Sequence, residues 1–125
     1  MKRFFLLAAA IVSMSAAACG PDYSKTNITS VVPGAPGNEI NNSHVTLAEG
    51  TVLKAHIESD NTDNEKMGNV LQTDDPSIAD VAYVITDHDW LFFGNKVGTT
   101  HITVRANEQS VIVMEAEVVA QPAAP

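Results

Sequence analysis

Three groups of residues in this chain have side chains able to bind or catalyse. Asp60, Asp63 and Glu65 crowd one polar stretch, SDNTDNEKMG, with Asn61 and Asn64 between them. Oxygen-rich sets of this kind suit calcium. The spacing, however, lacks the well-placed glycine and the closing bidentate glutamate of a helical-hand loop, so the stretch reads as a solvated acidic loop. Asp87-His88-Asp89 offers two carboxylates and an imidazole. Three consecutive residues rarely converge on one ion, and a metal centre needs further ligands from elsewhere. Aspartate also favours turns for backbone reasons, so a hairpin turn is the plainer reading. Four histidines are present, at 44, 56, 88 and 101. No serine or cysteine stands in a nucleophile elbow or in triad order. The expectation is a non-catalytic chain with no cofactor and no metal, Asp60, Asp63, Glu65, Asp87 and Asp89 being the metal candidates considered. A fourth group is apolar: Trp90-Leu91-Phe92-Phe93. Faces alternate along a strand. Trp90 and Phe92 are assigned to the core, which turns Leu91 and Phe93 outward as a candidate partner-binding pair.

The single cysteine, Cys19, excludes an internal disulfide. It follows Lys2 and Arg3, then an uncharged run from Phe4 to Ala18 ending in Ala16-Ala17-Ala18. A positive start, a short apolar core and small residues at the end describe an export signal. The run is too short for a bilayer span of about 20 residues. Small residues placed directly before a cysteine resemble the lipobox of bacterial lipoproteins. The resemblance implies a diacylglycerol on the Cys19 sulfur, cleavage before Cys19, and a membrane anchor in the cell envelope. Gly20, not aspartate, follows the cysteine, which by the same resemblance implies sorting to the outer membrane in a two-membrane cell.

Cleavage after Ala18 removes Lys2 and Arg3 from a chain of 7 basic and 15 acidic residues, taking the formal charge from −8 to −10. So acidic a surface argues against nucleic-acid binding, which neutralises phosphates with Lys and Arg. The expected partners are the membrane, through the lipid, and another envelope or surface protein.

Four segments position these groups. Residues 1–18 are the signal. Residues 19–43, rich in Gly, Pro, Asn, Ser and Thr, read as a flexible tether holding the folded part clear of the lipid, with a short edge strand at Ser30–Val32 as the alternative. Residues 44–119 have period-two patterning, with strands over His44–Leu47, Thr51–Glu58, Asn69–Thr73, Ala79–Thr86, Trp90–Phe93, Thr99–Ala106 and Ser110–Val119. Residues 120–125 form a loose tail. About seven short strands with frequent turn signals predict an all-β, Ig-like antiparallel sandwich.

Two motifs sharpen this. Asp75-Pro76-Ser77-Ile78-Ala79-Asp80-Val81 and Lys96-Val97-Gly98-Thr99-Thr100-His101-Ile102-Thr103-Val104 are similar, in order and spacing, to the bacterial Ig-like group 2 (Big2) modules, with coverage from about Val45 to Val119. The resemblance implies a spacer or adhesive module of a surface protein, with no catalytic residues to carry over. A calcium- or carbohydrate-binding surface module is the alternative.

Overall fold

The computed structural model describes residues 22–121. The signal segment 1–18, Cys19 and residues 122–125 of the expected tail lie outside them.

Among the described residues ten strands follow one another: β1 Tyr23–Val32, β2 Glu39–Ile40, β3 His44–Ala48, β4 Val52–Asn61, β5 Lys66–Met67, β6 Asn69–Thr73, β7 Ala79–Val84, β8 Asp89–Gly94, β9 Gly98–Ala106 and β10 Gln109–Val119. They form two sheets. Sheet A has the order β1-β4-β8-β7, with β5 pairing to β4; sheet B has the order β2-β3-β10-β9-β6. All pairings are antiparallel except β3 with β10, which run parallel with Glu115 opposite His44. The predicted all-β sandwich is therefore the fold, and each of the seven expected strands is present.

The core lies between the sheets and follows the alternation. Leu53, Ala55 and Ile57 of β4, Trp90 and Phe92 of β8, Ile102 and Val104 of β9, and Met114, Ala116 and Val118 of β10 are all buried. Phe92 is the largest side chain with no exposure. Burying a side chain of this size contributes about 1.5–3 kcal/mol.

Residues 19–21 of the expected tether lie outside the described residues, and over 22–43 the expectation needs correction. β1 pairs with β4 from Tyr23↔Asn61 to Val32↔Lys54. Its inward residues are Thr26 and Ile28, opposite Ser59 and Ile57, while Ser30, opposite Ala55, is exposed. Only Ile28 is apolar. Thr26 is held instead by its hydroxyl, 2.6 Å from Ser59 Oγ, and Tyr23 Oη donates to Thr26 Oγ1 at 2.9 Å. A strand fixed by hydroxyl pairs leaves no hydrophobic period, and register shifts at both ends break what alternation remains. Residues 33–38 are pinned too. Asn38 Nδ2 donates to the Pro33 carbonyl and to Thr51 Oγ1, while its Oδ1 accepts from the Ala48 amide at 2.8 Å. Gly34 adopts φ +81° with its Cα so near β4 that a Cβ would lie 1.8 Å from the Val52 carbonyl oxygen. Glycine alone tolerates both conditions.

Two smaller differences concern sheet A. β4 runs on to Asn61 because Ser59, Asp60 and Asn61 are buried through polar contacts. β7 ends at Val84, so Ile85 and Thr86 fall in the turn and Asp89 opens β8.

Candidate functional site

Sheet A splits at one end. β4 pairs with β8 only from Val52↔Phe93 to Ala55↔Trp90. Beyond that, β4 turns to β5, with Ser59↔Met67 and Asp60↔Lys66. β8 continues alongside β7 to Val84↔Asp89. The gap between the β4–β5 hairpin and the β7–β8 hairpin is a cleft of about 460 Å³. One wall is aromatic. Tyr83 and Trp90 face each other across β7 and β8, centroids 5.1 Å apart and tilted by 47°. Tyr83 Oη lies 2.8 Å from His88 Nδ1, fixing the ring of a residue with φ +56°. The other wall is formed by Lys66, Met67 and Asn69, with Glu58 at the rim.

Beside the cleft runs a continuous chain of charges on the outer face of β4, whose outward residues are Lys54, His56, Glu58 and Asp60. Lys54 Nζ binds Asp87 Oδ2 and lies 3.7 Å from Asp89 Oδ2. His56 Nδ1 is 2.7 Å from Asp89 Oδ1, and its Nε2 is 3.2 Å from Glu58 Oε1. Lys66 Nζ then bridges Glu58 at 3.3 Å and Asp60 at 2.9 Å. The hydrogen bond to Asp87 raises Lys54 above its ordinary value, with Asp89 adding to it. Hydrogen bonds to Asp89 and Glu58 raise His56. His56 and Lys66 hold Glu58 below the usual carboxylate range. Asp60 and Glu58 raise Lys66. Each shift favours the charged form, as expected where opposite charges touch.

This chain places the metal candidates. Asp87 and Asp89 do come together, but around Lys54, whose ammonium occupies the position a cation would take. Asp60 is buried and gripped by Lys66. Asp63 and Glu65 are exposed on the β4–β5 turn. Their amides donate to Asn61 Oδ1 at 2.9 and 3.0 Å, which makes the loop a side-chain-capped turn. Leu91 and Phe93 point to the outer face of sheet A, half-buried, opposite Lys54 and Val52 on β4 and Ala82 and Asp80 on β7.

The cleft also contains a hydroxyl and an imidazole, from Ser59 and His56. They stand on opposite faces of β4, three residues apart. Ser59 Oγ donates to Asn69 Oδ1 at 2.7 Å and pairs with Thr26. It is thus committed to the fold and not activated by a base.

Sequence reasoning missed the cleft, because a split between strands leaves no local pattern. It also missed a grouping on sheet B. His44, Glu115 and Glu117 bring one ligand atom each to within 4.8 Å of one another.

These features define a two-sheet sandwich, mainly antiparallel, with an open aromatic cleft and a self-neutralised charged face. No family model matches the chain, and no curated protein matches it. Solved structures do. Domains 5–6 of the S-layer protein SbsC align with a TM-score of 0.57 at 18% identity, covering 84% of this chain and 48% of that one. Domains 4 and 5 of the same protein align with a TM-score of 0.54 at 17% identity, covering 81% of this chain and 54% of that one. The chain spans about half the length of these two structures. The likeness is one of fold.

Proposed function

We propose that this chain is an exported, lipid-anchored, non-catalytic module of the bacterial cell envelope that acts by binding another envelope or surface protein. The observation that carries the anchor is the run of Lys2, Arg3, uncharged Phe4–Ala18 and Cys19. The fold's likeness to S-layer protein domains and the Big2-like motifs support a place at the cell surface. β1 adds a geometric consequence. It begins at Tyr23, four residues after Cys19, a span of at most about 14 Å. If Cys19 carries the lipid, this span would hold the sandwich close to the bilayer. The end that bears Tyr23 and the 62–65 turn would then be the end nearer the lipid.

Outer-membrane sorting, by Gly20, belongs to the same proposal. Two or three acyl chains on Cys19, at about 0.8 kcal/mol per buried methylene, make release negligible. Cys19→Ser should move the protein from the membrane to the soluble fraction or leave an uncut precursor. Retention at the wild-type level would contradict the anchor. Capture from cross-linked cells, comparing wild type with Leu91→Ser and Phe93→Ser, tests the partner face. Loss of a specific envelope protein from the variants supports it.

A second reading has an observation of its own. The Tyr83–Trp90 wall, with Lys66, Glu58 and Asn69 across the gap, has the form of a saccharide site: an aromatic face for ring stacking and polar groups to fix orientation. A glycan array on wild type and Tyr83→Ala decides it. Binding lost in the variant favours this reading, and no binding removes it.

A further inference from the structure

The outer face of sheet B presents a different chemistry from the cleft. Pairing of β3, β10 and β9 aligns His44, Glu115 and His101 in one row across three strands. The next row aligns Thr46, Glu117 and Thr99. Glu115 and Glu117 are two apart on β10 and so share this face. Among the described residues, no lysine or arginine lies within ion-pair distance of either glutamate. His44, with Nδ1 3.8 Å from Glu115 Oε1, is the partner present. Two adjacent carboxylates without a fixed cation repel each other, and a bound cation relieves that repulsion.

From this face we infer that His44, Glu115 and Glu117 form a binding site for a divalent transition-metal ion of the zinc class. The ligand set selects the ion. An imidazole nitrogen suits zinc and its neighbours, whereas calcium takes oxygen alone. His44 Nε2 lies 2.9 Å from Thr46 Oγ1, which orients the ring and leaves Nδ1 turned toward the glutamates. Outer partners of this kind hold metal-binding histidines in place. Zinc with ligands at about 2.0–2.2 Å sets its donors roughly 3.4 Å apart. The present donors, within 4.8 Å of one another, reach that by small rotations of the half-exposed side chains. His101, exposed on the other side of Glu115, stands where a fourth ligand could join. The site does not depend on the anchor or on the cleft.

The test is calorimetric titration of the whole chain carrying Cys19→Ser, so that no thiol competes, with zinc chloride and, separately, calcium chloride. The inference expects one zinc per chain and no calcium uptake. His44→Ala and the double variant Glu115→Gln, Glu117→Gln abolish binding. Thr46→Val weakens it on the order of tenfold, and His88→Ala, in the cleft, leaves it unchanged. Circular dichroism verifies that each variant retains its strands. Should His44→Ala lose its fold, Glu117→Gln alone, at a surface position, still decides the matter. Absence of zinc binding overturns the inference, as does binding that persists in the double variant or disappears with His88→Ala.

Discussion

The two outer faces of this sandwich obey the same alternation but differ in how their charges are met. On sheet A, Asp87, Asp89, Glu58 and Asp60 are threaded by Lys54, His56 and Lys66 into one chain of contacts. On sheet B, Glu115 and Glu117 stand together with imidazoles and, among the described residues, no lysine or arginine in ion-pair reach. A face that neutralises itself serves the fold; one that does not remains open to something from solution. Acidic residues alone therefore say little about function, and the presence or absence of a nearby lysine says much more.

Both faces depend on one core, so the largest effect comes from removing it. Phe92→Ala should cost about 3–5 kcal/mol, measured by urea denaturation, and should abolish cleft and metal-site binding together. A loss well under 2 kcal/mol would mean that Phe92 does not tie the sheets as described. The next test separates the faces. Asp89 is buried and contacts both Lys54 and His56. Asp89→Ala should cost about 2 kcal/mol, since it strips charged partners from two groups. Glu115→Ala, without metal, should change stability by no more than about 0.5 kcal/mol. Equal losses at the two positions would erase the contrast.

A smaller effect sharpens it further. His56 is raised above its ordinary value of 6.5, first by Asp89 and then by Glu58. A group raised on folding stabilises fully below its unfolded value and loses that contribution as pH climbs through the folded one. The stability gap between wild type and His56→Gln should therefore be widest below pH 6.5 and should narrow above it. With 40% of the His56 side chain exposed, solvent screening limits the effect to about 0.5 kcal/mol. A gap that widens with rising pH would refute the assignment.

How much of this was legible in the sequence varies by element. The seven period-two strands could be read because Leu53, Ile57, Ile102, Met114 and their neighbours bury alternate apolar side chains. β1 could not, because Thr26 turns a hydroxyl inward where an apolar side chain is expected, and Ser30, Val31 and Val32 are all exposed. The outward parity of His44, His101, Glu115 and Glu117 was available from the same alternation. Their adjacency was not, since β3 and β10 pair across 71 positions and strand order is not a local property. The carboxylates at Asp87 and Asp89 were visible, but the Lys54 that lies between them came from a strand 33 residues earlier.

The anchor is the claim on which the functional reading turns. Mass spectrometry of the N-terminal peptide, taken from protein purified out of the membrane fraction, tests it most directly. The account predicts a peptide beginning at Cys19 and heavier by a diacylglycerol, with or without a further acyl chain. A peptide with an unmodified Cys19 thiol would contradict it.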